Sequence, residues 1–164
     1  MVAAARNSVI GAYGTLPWRL PDESAYFRKT IKDHPVIMGR KTYEITGKDP
    51  LPGTVNLVIT RDPNYPVVKG FRLASSLGEA LSLPEVKAAK EVFIIGGQQI
   101  FEQAMPLADK LYLTIVDAEV EGDAVFKYDP NEWQIVSSQK HPADAKHKYS
   151  FEMTIQDRIT KKES

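Results

Sequence analysis

Two adjacent acids, Asp22 and Glu23, follow a proline in the segment TLPWRLPDESAYF, residues 15–27. A proline at the start of a helix followed by acids is typical of N-terminal capping, because the helix dipole stabilises a carboxylate there. The same place suits a carboxylate that handles a proton, provided that its side chain points towards apolar groups. The question is therefore whether one of the two acids points inward.

Helical phase separates the two acids. Residues four apart share a face of a helix, which groups Glu23 with Phe27 and Ile31, while Asp22 falls with Tyr26 on the polar side. A carboxylate among apolar groups is costly unless it is paired or protonated. Burial should therefore raise the pKa of Glu23, as proton chemistry requires. Position alone leaves open the alternative that both acids only complement the dipole.

A first strand–glycine–helix junction lies in HPVIMGRKTYE. The apolar run 35–39 is typical of a buried parallel strand, and it ends at Gly39. Arg40 and Lys41 follow, and their charge suits a phosphate at the start of a helix. The spacing excludes a Walker A loop. A solvated basic turn is the alternative.

A second junction lies in VFIIGGQQIF, where Gly96 and Gly97 follow an apolar strand. Adjacent glycines permit close approach of the backbone to a ligand. They equally permit tight packing of the following helix on the strand. No third glycine stands at the spacing of the dinucleotide fingerprint, so this junction alone favours packing. Two such junctions in one small sheet favour a nucleotide site.

Alternating strands and helices must position these residues. The pattern predicts a mostly parallel sheet with helices on both faces and an antiparallel hairpin at the C-terminal end. Ligands in such sheets bind beyond the carboxyl ends of the strands. Strands are predicted at 2–5, near 8–11, at 35–39, 54–60, 71–74, 91–97 and 110–116, and within 133–138 and 149–155, with 138–148 as a polar connection. Helices are predicted from 21 to about 32, over 40–45, from about 75 to 81 and over 98–105.

Composition narrows the possible functions. The 164 residues carry 21 basic and 21 acidic side chains and no cysteine. Zero net charge argues against a nucleic-acid or acidic-membrane binder, and the absence of cysteine excludes disulfides and thiolate sites. The N-terminus does not resemble a signal peptide, and no apolar run reaches membrane-spanning length. We expect a cytoplasmic protein.

The histidines, His34, His141 and His147, show no i,i+4 pairing in the sequence. We expect surface positions for them and no metal site. No serine lies in a nucleophile-elbow context.

Five segments together resemble dihydrofolate reductase, and they cover nearly the whole chain. They are VIGAYGTLPWRLPDESAYF, HPVIMGRKTYE, LPGTVNLVIT, VFIIGGQQIFEQAMPLADKLYLTIVDAEVEGD and YSFEMTI. The resemblance implies one α/β domain over 1–164 with an eight-stranded sheet and an adenosine-binding part at about 34–107. It implies a monomer that reduces dihydrofolate to tetrahydrofolate with NADPH, in one-carbon metabolism. Hydride would pass from nicotinamide C4 to pterin C6, with protonation of N5 assisted by Glu23 and water.

The resemblance also implies roles for individual residues. Glu23 would bind the pterin 2-amino group and ring nitrogen beside Thr114, Trp18 would hold a water, and Leu16 would lie in a loop closing over the nicotinamide. Substrate contacts would be Met1, Val2, Ala3, Glu23, Phe27, Arg28, Ile45, Thr46, Lys48, Leu51, Ile95, Phe101 and Thr114. Cofactor contacts would be Ala3, Ile10, Gly14, Thr15, Leu16, Gly39, Arg40, Lys41, Thr42, Thr60, Arg61, Gly96, Gly97, Gln98, Gln99, Ile100 and Gln103.

The chain departs from the family pattern at two places. Thr54 follows LPG where the family usually has an arginine that clamps the α-carboxylate of the substrate. Unless Arg28 or Lys48 reaches that carboxylate, we expect weaker binding of the glutamate tail. Family members also usually run about four residues further before the first strand, so we expect either a shortened strand or a sequence that belongs to a longer chain.

Two other functions remain open. Related folds reduce other pterins or ribosylamino-pyrimidines, and Thr54 keeps such a reductase possible. A non-catalytic pterin- or nucleotide-binding module is the alternative from a different class. Loss of NADPH absorbance with dihydrofolate, compared with turnover of other pterins and with NADPH binding, distinguishes all three.

Overall fold

The computed structural model describes residues 1–11, 17–45 and 49–159. They cluster in two compact units, Ser24–Ala104 and a second unit of Met1–Glu23 with Met105–Ser164. The adenosine-binding part at about 34–107 and a single domain over 1–164 both stay predictions. No helix among the described residues is long and apolar enough to cross a membrane.

The described elements alternate as predicted, with strands and helices of these bounds. The helices are α1 (Pro21–Ile31), α2 (Arg40–Ile45), α3 (Leu77–Ser82), α4 (Pro84–Lys87) and α5 (Gln98–Ala104). The strands are β1 (Val2–Ala5), β2 (Val9–Gly11), β3 (Val36–Gly39), β4 (Asn56–Ile59), β5 (Phe71–Ala74), β6 (Phe93–Ile94), β7 (Lys110–Val116), β8 (Ala124–Val125), β9 (Trp133–His141) and β10 (Phe151–Arg158).

The unit Ser24–Ala104 holds a wholly parallel sheet in the order β5-β4-β3-β6. All four residues of β3 are buried, as expected of a continuous apolar run covered on both faces. A core cluster forms around Ile37, Leu57 and Ala80, each fully buried. Tyr43 of α2 is also fully buried, and its ring meets that of Phe71 edge to face at 4.9 Å. This packing fixes the start of α2 at the end of β3.

The other unit holds a mixed sheet in the order β1-β7-β10-β9 and a separate pair, β2-β8. Strand β1 runs parallel to β7, whereas β10 is antiparallel to both β7 and β9. The predicted C-terminal hairpin is thus confirmed. The ladders form sheets of four, two and four strands, so the single, mostly parallel, eight-stranded sheet is not confirmed.

Several predicted boundaries were wrong. Strand β9 continues to His141, which pairs with Phe151, so the connection is 142–150 and not 138–148. Polar residues misled the prediction there because most of β9 is exposed. The helix α4 was not predicted, although Pro84 stands at its first turn.

The start of α3 has one of the two hydrogen bonds of a capping box. The Ser76 hydroxyl accepts a hydrogen bond from the Glu79 N–H at 3.0 Å, as a capping box requires. The Glu79 carboxylate, however, accepts from the N–H of Ser75 at 3.0 Å and not from that of Ser76.

Candidate active site

Glu23 is the third residue of α1, and its surroundings confirm the helical phase. Its side chain is half-buried, Phe27 one turn later is half-buried, and Ile31 is fully buried. The Asp22 side chain is 61% exposed. The two acids therefore face different environments, although they are neighbours in sequence.

The Glu23 carboxyl is paired with a buried hydroxyl. Thr114, in the middle of β7, is 2% exposed, and its Oγ1 donates to Glu23 Oε1 across 3.4 Å. Burial raises the pKa of Glu23, and the Thr114 hydrogen bond opposes that shift with a smaller effect. At 3.4 Å the bond is long and correspondingly weak. Glu23 therefore holds its proton to a higher pH than an ordinary glutamate.

Strand β1 contributes one predicted site residue to the same face. Ala3 lies directly opposite Thr114 in the parallel β1–β7 pair. Because side chains alternate along a strand, Ala3 and Thr114 share a face. Val2 is turned to the other face and is 8% exposed, while Met1 is half-buried. Ala3 is thus the residue of β1 that flanks the Glu23–Thr114 pair.

The two glycine junctions meet within the unit Ser24–Ala104. The Gly39 N–H donates to the Gly96 carbonyl at 2.7 Å. A Cβ on Gly39 would lie 3.0 Å from Ile100 Cγ1, and a Cβ on Gly96 would lie 3.1 Å from Phe101. Gly96 also has φ +118°, and the Gly96–Gly97 peptide bond is cis. At Gly96 this is the tight packing that was one of the two interpretations of the second junction.

Basic residues lie at the same sheet edge as these glycines. Gly39 pairs with Ile59 in the β3–β4 ladder, so Thr60 and Arg61 follow β4 where Arg40 follows β3. Arg40 lies 3.8 Å from Glu44 and 6.0 Å from the centre of the Tyr65 ring. Both arginines are exposed. Positive charge is therefore available beside the glycine backbone.

The remaining predicted residues differ in exposure. Leu51, Ile100 and Phe101 are buried, whereas Arg28, Lys41, Gln99 and Gln103 are exposed. Ile10, Trp18, Thr42, Ile45, Ile95, Gly97 and Gln98 are half-buried. Gly14, Thr15, Leu16, Thr46 and Lys48 lie outside the described residues.

The expectation of surface histidines is wrong for His147, which is 1% exposed, and His141 has a side chain only 19% exposed. The pair Asp144–His147, three residues apart, was the available sequence signal. The carboxylate of Asp144 accepts from His147 Nδ1 at 2.8 Å. A buried imidazole needs such a partner.

Sequence reasoning also missed Asn56, which supports the LPGT segment. Asn56 is 4% exposed. Its Oδ1 accepts from the Leu51 N–H at 3.3 Å, and its Nδ2 donates to the Leu51 carbonyl at 3.1 Å. The following turn is held as well, because the Thr54 N–H donates to the His34 carbonyl at 3.1 Å. These bonds position Leu51 and Thr54, both named by the sequence analysis.

We expect Asn56→Ala to lower the free energy of unfolding by about 1–3 kcal/mol, because it leaves a buried backbone N–H and carbonyl without partners. Urea unfolding followed by circular dichroism measures the change. Asn64 is exposed, so Asn64→Ala should stay within about 0.5 kcal/mol of the parent chain. Equal effects of the two changes would contradict the role given to Asn56.

Comparison with known proteins decides what this arrangement belongs to. A sequence profile described as dihydrofolate reductase matches residues 1–158. The chain belongs to the dihydrofolate reductase family. The dihydrofolate reductase type 3 of Salmonella typhimurium is 40% identical over 153 residues, which are 93% of this chain and 92% of that relative. The dihydrofolate reductase of Bacillus subtilis (strain 168) is 39% identical over 150 residues, 91% of this chain and 87% of its own.

A solved structure shows the same fold. Dihydrofolate reductase from Enterococcus faecalis, complexed with NADP(H) and RAB-propyl, matches with a TM-score of 0.87 at 30% identity. The match covers 97% of this chain and 94% of that one. The resemblance read from the sequence motifs is confirmed, and so is the prediction of an enzyme of the dihydrofolate reductase family.

Proposed function

We propose that this chain reduces 7,8-dihydrofolate to tetrahydrofolate with NADPH as the hydride donor. Membership of the dihydrofolate reductase family supports this activity. The observation that carries it is the half-buried Glu23 carboxyl beside Thr114, with its raised pKa. Such a group suits a reaction that must deliver a proton as well as a hydride.

The residues of the unit Ser24–Ala104 fit NADPH as the cofactor. Gly39 and Gly96 bring two backbone segments together at this sheet edge, and Arg40 and Arg61 offer charge for phosphates at the same edge. We propose that the backbone at 96–100 binds the pyrophosphate side and that Thr60 and Arg61 flank the 2′-phosphate. NADPH, when bound, supplies the hydride that reduces the pterin. The NADP(H) named with the Enterococcus faecalis structure supports this assignment.

Glu23 would bind and polarise the pterin ring. Its carboxylate can accept hydrogen bonds from a 2-amino group and an adjacent ring N–H, which orients the ring by two contacts. The Thr114 hydroxyl donates its long hydrogen bond to Oε1 of the carboxyl. We propose that Glu23, when protonated, passes its proton to N5 through a water held near Trp18, with Leu16 and the segment 11–20 excluding bulk solvent. The other substrate and cofactor residues named from the sequence keep those roles as part of this proposal.

Thr54 makes the binding of the glutamate tail testable. Thr54 is exposed and its N–H is anchored on the His34 carbonyl, so a longer side chain there meets solvent. We expect Thr54→Arg to tighten dihydrofolate by about tenfold or more, since charge-assisted hydrogen bonds contribute about 1.5–3 kcal/mol. Fluorescence titration measures the dissociation constant.

A pterin without the glutamate tail is the control for Thr54→Arg. It lacks the α-carboxylate, so the substitution should leave its affinity unchanged. If dihydrofolate and the tail-less pterin both respond equally, or neither responds, the tail-site interpretation is wrong.

The activity itself is tested by loss of NADPH absorbance with purified chain and dihydrofolate. Turnover with dihydrofolate supports the proposal. Turnover only with other pterins or with a ribosylamino-pyrimidine would favour the related reductase that Thr54 leaves open, and tight NADPH binding without turnover would favour a binding module. We propose a monomer, and a light-scattering mass measurement tests that independently.

A further inference from the structure

We propose that Asp22, His141 and His147 form a binding site for one divalent transition-metal ion of the Zn²⁺ class. Asp22 Oδ2 lies 2.8 Å from His141 Nε2 and 3.9 Å from His147 Nε2. All three ligand atoms lie within 4.8 Å of one another. The site lies within the unit of Met1–Glu23 and Met105–Ser164, and it does not depend on the proposed reductase activity.

Both imidazoles are oriented by their other ring nitrogens. His147 Nδ1 is bonded to Asp144 Oδ1 at 2.8 Å, and His141 Nδ1 faces the Pro142 carbonyl at 2.7 Å. Each Nδ1 thus has an acceptor that keeps its proton there, which leaves each Nε2 as the donor atom for a metal. Metal-binding histidines in proteins usually bond their second nitrogen to a carboxylate or a backbone carbonyl in this way.

Aromatic packing holds the two rings in place. The His141 ring stacks on Phe151 at 4.5 Å with 10° between the planes, and it lies 4.5 Å from the His147 ring. His147 is 1% exposed, so its orientation is set by the interior. The Asp22 side chain is 61% exposed and can adjust its carboxylate to an ion.

The separations suit a tetrahedral ion. Bonds of about 2.0–2.1 Å to nitrogen and oxygen place ligand atoms about 3.3 Å apart in a tetrahedron. The two Asp22 distances, 2.8 and 3.9 Å, bracket that value. Two imidazoles with one carboxylate favour Zn²⁺, Co²⁺ or Ni²⁺ over Mg²⁺ and Ca²⁺, which prefer oxygen ligands. Three protein ligands leave one position for water.

Metal binding has two local costs, and one is that an ion replaces the proton shared by His141 Nε2 and Asp22 Oδ2 across 2.8 Å. In the structure, His147 Nε2 accepts a hydrogen bond from the Asp22 N–H at 3.0 Å. An ion on Nε2 replaces that contact. The Asp22 carboxylate compensates by binding the same ion, so the start of α1 stays joined to the 142–150 connection.

The test is calorimetric titration of Zn²⁺ into the full chain at about pH 8, because protons compete with metal ions for the ligand atoms at lower pH. We expect one equivalent to bind, with the dissociation constant raised at least about tenfold in His141→Gln and in Asp22→Asn. His34→Gln is the matched control and should bind as the parent does. No binding, or equal binding in the parent and in either ligand variant, would overturn the proposal.

A second measurement identifies the ligand atoms. In nitrogen-15 NMR of the imidazoles, Zn²⁺ should shift Nε2 of His141 and His147 and leave His34 unchanged. Asp144→Asn tests the positioning of His147, because loss of such an orienting partner typically lowers metal affinity about 10–100-fold. Shifts confined to His34, or unchanged affinity in folded Asp144→Asn, would contradict the site.

Discussion

Glu23→Gln is expected to lower kcat with dihydrofolate by about 10²–10⁴-fold, the usual contribution of a positioned acid or base. Glutamine retains the volume and one carbonyl oxygen, so the Thr114 contact at 3.4 Å can persist. It cannot release or take up a proton, and its amide presents donors where the pterin needs acceptors. Steady-state kinetics by loss of NADPH absorbance measures the effect.

The controls for Glu23→Gln separate chemistry from folding. The exposed Glu121 offers a matched change, Glu121→Gln, that should leave kcat within twofold of the parent, about the scatter expected of a change outside the site. The melting temperature of Glu23→Gln should not fall, because burying an ionised carboxylate carries a desolvation cost that the neutral amide avoids. A Glu23→Gln variant that turns over like Glu121→Gln would remove Glu23 from the mechanism.

Gly96→Ala is expected to destabilise the fold by about 1–3 kcal/mol, the cost of holding a residue with a side chain in an unfavourable backbone region. The φ angle is +118°, and the new Cβ would lie 3.1 Å from Phe101 and 3.3 Å from Thr42 Oγ1. Movement of this backbone would also separate it from Gly39, whose N–H donates to the Gly96 carbonyl. If the glycine backbone binds the cofactor as proposed, the dissociation constant of NADPH should also rise, by about tenfold for each 1.4 kcal/mol of binding free energy lost.

Gly78→Ala is the matched control for Gly96→Ala. Gly78 lies in α3, and a Cβ there would meet only Ser76 Oγ, at 3.8 Å. Alanine should stabilise that helix by about 0.5–1 kcal/mol and leave NADPH binding unchanged. Thermal unfolding and NADPH fluorescence measure the two properties. An undiminished NADPH affinity in a folded Gly96→Ala variant would argue against the pyrophosphate assignment.

Local patterns predicted the parts of the fold that local physics controls. The i,i+4 phase of α1 separated Glu23 from Asp22, because an 11-residue helix must turn one stripe towards the core. The apolar run ending at Gly39 predicted β3, because a parallel strand covered on both faces needs apolar side chains throughout. Strand β7 was predicted with its observed bounds, Lys110–Val116.

Contacts between distant segments could not be predicted in the same way. The buried His147 ring is hydrogen-bonded to Asp144 and to the backbone of Asp22. Asp22 is 125 positions away in sequence. Asn56 resembles any polar residue at the start of a strand until Leu51 folds back on it. The division of the strands among separate sheets could not be predicted either, because the pattern of one strand does not specify which strands it pairs with.

The most direct measurement of the central claim is the pH dependence of single-turnover dihydrofolate reduction, followed in a buffer with a metal chelator. Burial raises the pKa of Glu23, so the protonated form persists to higher pH than in an ordinary glutamate. We predict that the rate falls as pH rises through this elevated pKa and that the fall disappears in Glu23→Gln. The same pH profile in the parent chain and in Glu23→Gln, with the same rates, would contradict the account.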